Sequence, residues 1–249
     1  MNDLTPSRQL TLSVIVPIYN ELNTWSEILD RLRALHIPSA KVEIVLVDDA
    51  STDGTREQLQ NLAKSIVDSD DGERLRIIFH PQNRGKGAAL RTGFASAGGD
   101  VVVPQDADLE YDPQDLPALL EPIRTGQADA VFGCRFTVSK NRRGHWINYL
   151  ANRFLTGLSN LTTGFRLTDM ETCYKMVRKD VLADFEGQQD RFGFEPEITA
   201  YLARVGARVI EVPISYNPRS KKQGKKIGWR DGLAAIRCIL EYRPRRRDN

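Results

Sequence analysis

"VEIVLVDDAS", residues 42–51, decides the fold: a short run, nearly all apolar and rich in β-branched side chains, ends in two adjacent aspartates. A run of that length and polarity suits a strand buried on both faces, and such strands belong to parallel sheets. Upstream, "LSVIVPIYN" (12–20) is of the same kind. Between the two, Trp25, Ile28, Leu29, Leu32 and Leu35 recur at helical spacing, and Thr24 with Glu27 has the spacing of a capping box. Downstream, Leu59, Leu62, Ala63 and Ile66 mark a second helix, "LRIIFH" (75–80) a third strand, "KGAALRTGFASA" (86–97) a third helix and "DVVVPQD" (100–106) a fourth strand. This rhythm predicts the α/β class, with a mainly parallel open sheet and helices on both faces.

Ligands of such sheets bind outside the carboxyl ends of the strands. "PIYNE" (17–21), "VDDAS" (47–51) and "QDADLE" (105–110) all end strands, so they are expected to line one crevice. Asp106, Asp108 and Glu110 alternate along the chain, and an extended segment would turn all three toward one cation. Mg2+ or Mn2+ would suit them, since hard cations take carboxylate oxygens and share coordination with substrate phosphates. The alternative is that Asp106 and Asp108 merely begin a polar turn before "DPQD".

The net charge of +2 is unevenly spread: Arg219 to Asn249 holds 11 Lys and Arg against 3 Asp and Glu, which leaves the remainder acidic. That asymmetry suits an anionic partner, whether lipid headgroup, phosphorylated substrate or nucleic acid, or simply a solvated tail. No nucleic-acid module is recognisable, so nucleic acid is not expected. Three widely spaced cysteines, Cys134, Cys173 and Cys238, read as reduced thiols. Residues 1–10 are polar and expected to be flexible. No apolar run approaches the roughly 20 residues of a membrane span, and a cytoplasmic location is expected.

The order PIYNE, VDDASTDGT, NRGKGAAL, QDADLEYDP, EVPISY-x-x-R and GKKIG resembles the family-2 glycosyltransferases of the nucleotide-diphospho-sugar (GT-A) fold. Within them the chain is most similar to the dolichol-phosphate mannose synthase and polyprenyl-phosphate hexose synthase group. The resemblance covers about residues 12–229, and implies a glycosyltransferase domain over 11–228 followed by an amphipathic helix and basic tail over 229–249. It implies a metal-dependent, inverting transfer of a hexose from a GDP-mannose or UDP-glucose type donor to a polyprenyl phosphate. Pro17, Tyr19, Glu21 and Asp49 fall on positions that hold the nucleotide. Asp106 and Asp108 fall on the metal-diphosphate motif, with Glu110 as a further ligand, and Lys86 lies in the "N-x-G-K-G" turn. On the acceptor side Arg135, Trp146, Asn152, Asp169, Glu197, Arg219 and Lys226 match in order. The resemblance thus assigns Asp108, Arg135, Asp169 and Arg219 to catalysis, and Glu197 and Lys226 to donor binding.

The chain departs from the group at Tyr149, where an arginine is usual, and over 169–175, where "D-L-T-G-S-F-R" becomes "DMETCYK" and an arginine becomes Lys175. A lipid phosphate is already an anionic nucleophile, whereas a hydroxyl acceptor needs a base, for which Glu171 or Asp169 would serve. A soluble glycan-forming transferase is therefore the nearer alternative, and a non-catalytic binding protein the farther one. "SKKQGKKIG" (220–228) suits a loop that closes over diphosphate. Leu233, Ile236, Ile239 and Leu240, ahead of "RPRRR", suit either packing on the protein or contact with an anionic membrane, which would place the chain peripherally on its inner face.

Overall fold

The computed structural model describes residues 9–66, 74–136, 146–191, 193–219 and 229–243. In chain order the elements are β1 (Leu10–Ile18), α1 (Trp25–Arg33), β2 (Ala40–Asp48), α2 (Thr55–Ser65), β3 (Leu75–Phe79), α3 (Lys86–Ser96) and β4 (Val101–Pro104), then α4 (Leu116–Arg124), β5 (Ala130–Cys134), α5 (Trp146–Thr163), β6 (Lys175–Arg178), α6 (Phe194–Arg204), β7 (Val209–Pro213) and α7 (Trp229–Glu241). The strands form one seven-stranded sheet in the order β3-β2-β1-β4-β6-β5-β7. All neighbours pair in parallel except β6, which runs antiparallel to both β4 and β5.

Alternation along the central strands builds two cores. Val14, Val16, Ile44, Leu46, Val101 and Val103 face the layer of α1 and α4, while Ile15, Val45, Val47 and Val102 face that of α3 and α6. On the second face α3 lies close to β1, since a Cβ at Gly93 would overlap the Ile15 side chain. Helix α7 packs in that same layer, with Ala235, Cys238 and Ile239 buried, so the 229–249 segment begins as part of the domain's core. Leu233 and Leu240 of the apolar set point outward. Strand β1 starts at Leu10, inside the stretch expected to be flexible.

The capping box does not form: Thr24 makes no side-chain cap, and its hydroxyl instead donates to the Glu21 carboxylate at 3.0 Å. All three cysteines are buried and none is in a disulfide. No helix among the described residues is long and apolar enough to cross a membrane.

Candidate active site

Strands β1, β2 and β4 end side by side, and their following loops make the crevice. Each loop contains one non-glycine residue with positive φ: Asn20 (54°), Ala50 (61°) and Leu109 (63°). These are the only such residues among those described, and backbone strain of this kind collects where a ligand dictates the chain path. The first two loops are stitched together. Asn20 Oδ1 accepts from Thr52 N at 2.8 Å, Asn20 N donates to Ser51 Oγ at 3.0 Å, and Asp53 accepts from Leu22 N at 3.2 Å.

Asp49 is buried and its carboxylate is spent inside the protein. It accepts from Arg84 N at 2.9 Å and Gly85 N at 2.7 Å, and meets His80 Nδ1 at 2.7 Å. Asp49 thus shapes the N-x-G-K-G turn, where Gly85 (φ 95°) leads into α3. The turn places Lys86, whose ammonium lies 2.8 Å from Asp106 Oδ1 and 3.2 Å from Glu195 Oε1. Burial alone would lower the Lys86 pKa, but Asp106, Cys173 and Glu195 beside it hold it well above the ordinary value. Pro17 lies in β1 beyond the last residue paired to β4, Tyr19 is half-exposed at the rim, and Glu21 lies within the first loop.

The QDADLE segment is not extended. It turns after Asp106, with Leu109 left-handed, so the alternation of an extended strand is not what places residues 106, 108 and 110. Asp108 takes an ion pair from Arg219 Nη2 at 2.6 Å. Glu110, expected as a further metal ligand, accepts from Tyr216 Oη at 2.7 Å and from Arg219 N at 2.9 Å. Glu21 lies 3.4 Å from Arg219 Nη1. Burial and the carboxylates of Asp106 and Glu110 push the Asp108 pKa up to about 7, against the pull of Arg219. Among the described residues no three acidic, His or Cys groups surround one point. The donor chemistry still fits a hard cation, because Asp106 and Asp108 offer oxygen ligands in surplus negative charge and Mg2+ is commonly held by one or two carboxylates plus substrate phosphates.

The second cluster is built around Asp169, which is fully buried. Arg135, just past β5, donates to it through Nε at 2.7 Å and Nη2 at 2.6 Å, a bidentate pair. The Arg135 backbone N adds a bond at 3.1 Å and Asn152 of α5 a fourth at 2.8 Å, and Thr156 holds Asn152 in turn. Burial opposes ionisation of Asp169, yet Arg135 and Asn152 keep its pKa below the ordinary carboxylate value. Asp169 therefore orients Arg135 and is poorly suited to accept a proton. Glu171 differs: burial and nearby Glu195 raise its pKa to about 7, and its Oε1 has no hydrogen-bond partner. Lys175 is buried, donating to the carbonyls of Met170 and Thr172, so it braces this segment from behind. Glu197, on α6, accepts from Gln188 N at 2.6 Å and Gln189 N at 3.0 Å. Lys226 and the 220–228 loop lie outside the described residues, as does the Trp146 side chain.

Tyr216 joins the halves. Its ring lies 5.2 Å from the Arg135 guanidinium while its hydroxyl holds Glu110. Glu211 of β7 fixes Asp169 from the other side, accepting from Thr168 N at 2.8 Å and Asp169 N at 2.9 Å. Tyr216, Glu211, Glu195 and His80 were not singled out by their residue types. The first two lie in "EVPISY", and their partners are 40 to 110 positions away.

The model of the family described as "Glycosyl transferase family 2" matches residues 13–185. An undecaprenyl-phosphate mannosyltransferase of Micrococcus luteus is 31% identical over 233 residues, covering 89% of this chain and 90% of the relative. An undecaprenyl-phosphate 4-deoxy-4-formamido-L-arabinose transferase of Edwardsiella ictaluri is 31% identical over 215 residues, 86% of this chain, and the alignment spans only 62% of that relative's length. Among solved structures, glucosyl-3-phosphoglycerate synthase of Mycobacterium tuberculosis, crystallised with Mn2+, UDP and glucosyl-3-phosphoglycerate, superposes with a TM-score of 0.70 at 21% identity, covering 94% of this chain and 80% of that one. The likeness in architecture is that of the GT-A fold. By its family match and its sequence identity to these relatives, the chain belongs to glycosyl transferase family 2 and is a glycosyltransferase.

Proposed function

We propose that the chain transfers a hexose, with inversion, from a nucleotide-diphospho-sugar of the GDP-mannose or UDP-glucose type to a polyprenyl phosphate. The observation that carries this reading is the Arg135–Asp169 pair, a guanidinium held rigidly at the acceptor side by a carboxylate with no capacity left to act as a base. Such a group suits an acceptor that arrives already ionised. The two relatives named for undecaprenyl phosphate support it.

In this reading Asp106 and Asp108 hold Mg2+ or Mn2+, which when bound supplies Lewis-acid stabilisation to the departing nucleoside diphosphate. Pro17, Tyr19 and Glu21 line the nucleotide end. Lys86 steadies Asp106, and Arg219, released from Asp108, turns its charge to the diphosphate. Arg135 orients the acceptor phosphate for attack on the sugar carbon. Asp49 and Glu197 contribute by shaping the turn and the wall behind Lys86. The site faces the cytoplasm at the inner membrane surface, where the outward apolar residues Leu150, Phe154 and Leu161 of α5 and Leu233 and Leu240 of α7 meet the bilayer.

A hydroxyl acceptor is the second reading, favoured by Glu171, whose raised pKa and unpartnered oxygen suit a base better than Asp169 does. Purified protein incubated with a panel of nucleotide-sugars, Mn2+ or Mg2+, a short polyprenyl phosphate and hydroxyl acceptors separates the two. Sugar on the lipid phosphate, retained by Glu171→Gln, is the expected result. Transfer to hydroxyls alone, lost in that variant, would overturn it.

A further inference from the structure

Lys86 divides its charge between two carboxylates. Both oxygens of Asp106 lie within 3.1 Å of its Nζ, and Glu195 Oε1 lies 3.2 Å away on the other side. Lys86 is the first residue of α3 and Glu195 the second of α6, so the contact is one between the starts of two helices. Those starts are clamped together. Ala88 N donates to Asp190 O at 3.2 Å, Arg91 pairs with Asp190, and a Cβ on Gly85 or Gly87 would overlap the carbonyl of Asp190 or Gln189. Glu197 fixes the same segment through Gln188 N and Gln189 N. Glu195 itself is buried, which sets its distance to Lys86 by packing and not by chance of a surface rotamer.

An ammonium between two carboxylates neutralises each only in part. Were Glu195 uncharged, the whole positive charge of Lys86 would fall on Asp106, at the oxygens a divalent cation also needs. We propose that Glu195 is a positioning residue for the transfer reaction: by drawing on Lys86 it leaves Asp106 anionic enough to bind the cation shared with the donor diphosphate. The proposal rests on the reading of Asp106 and Asp108 as cation carboxylates.

The test is Mn2+ binding by the purified full chain with GDP or UDP present, read from the electron paramagnetic resonance signal of free Mn2+. The wild type is compared with Glu195→Gln, Glu195→Asp, Lys86→Gln and the double variant Glu195→Gln/Lys86→Gln, each checked for folding by circular dichroism. Glu195→Gln should weaken Mn2+ binding roughly tenfold, and Glu195→Asp, which keeps the charge, by clearly less. In the Lys86→Gln background the same Glu195→Gln change should cost less than about twofold, because its effect runs through the lysine. Equal Mn2+ affinity in the wild type and Glu195→Gln, or an undiminished loss without Lys86, overturns the role of Glu195 while leaving the cation reading intact. A wild type that binds no Mn2+ with either nucleotide overturns the cation reading, and the proposal with it. Should Glu195→Gln fail to fold, Glu195→Ala, which also removes the charge, decides: a loss of Mn2+ affinity that shrinks in the Lys86→Gln background supports the proposal, and wild-type affinity overturns it.

Discussion

At Asp108, burial and the carboxylates of Asp106 and Glu110 oppose ionisation while Arg219 favours it. Asp108→Asn removes a repelled charge but also a cation ligand, so the thermal midpoint should hold or rise while transfer falls at least about a hundredfold. A thermal melt alongside turnover at saturating donor checks both halves, and full turnover in the variant would remove Asp108 from the chemistry. Glu171 makes a pH-dependent prediction. Its folded pKa, raised to about 7, lies above the ordinary 4.5. Stability from its neutral form is thus fully present below about pH 4.5 and is lost as pH rises through about 7. Melts at pH 5 and pH 8 should show Glu171→Gln gaining on the wild type at the higher pH, and a constant gap would contradict the shift. Neither residue's behaviour is written in its local sequence: Asp108 stands in a motif that announces a cation, but its Arg219 partner is 111 positions away.

The loops after β1, β2 and β4 hold their left-handed residues in place by cross-links such as Asn20 to Thr52. Alanine in that conformation costs roughly 1–2 kcal/mol, which glycine avoids. Ala50→Gly should therefore stabilise by up to about 1 kcal/mol once the larger chain entropy of glycine is set against the relief. Urea unfolding measures it, and a loss of stability would show that the Ala50 methyl matters more than its φ. In the Asp169 cluster, Arg135→Ala would leave the buried carboxylate without its ion-pair partner, at a cost of about 3–5 kcal/mol by the same measurement. At this scale the strands and helices up to residue 106 were legible, because buried parallel strands and amphipathic helices write their periods directly into "LSVIVPIYN" or the Trp25–Leu35 series. The capping box was not. Thr24 and Glu27 have the right types and spacing, but the Glu21 carboxylate, reached only through the path of the first loop, takes the hydroxyl.

Over the whole molecule, Leu150, Phe154 and Leu161 on α5 lie outward with Leu233 and Leu240 on α7, near a C-terminal sequence rich in arginine. Each arginine close to an anionic surface contributes roughly 1 kcal/mol within a screening length of about 8 Å, so attachment should be reversible and salt-sensitive. Co-sedimentation with anionic vesicles should carry down the wild type at low salt and release it at high salt, and a chain ending before Arg243 or bearing Phe154→Asp should bind less. Indifference of all three to the vesicles would remove the membrane from the reading. The parallel, open sheet was legible in the rhythm of the first half, but its order past β4 was not. Lys175–Arg178 is a four-residue strand whose partners at Val101, Val102 and Ala130–Phe132 are set by the path of the chain, which leaves no local mark. That placement has a consequence during synthesis. Strands β3, β2, β1 and β4 are complete by Pro104, yet β4 has no neighbour on its outer side until β6 emerges some seventy residues later. At translation rates of about 5–20 residues per second, the growing chain carries an unpaired hydrophobic strand edge for several seconds, the interval in which a ribosome-associated chaperone has most to protect.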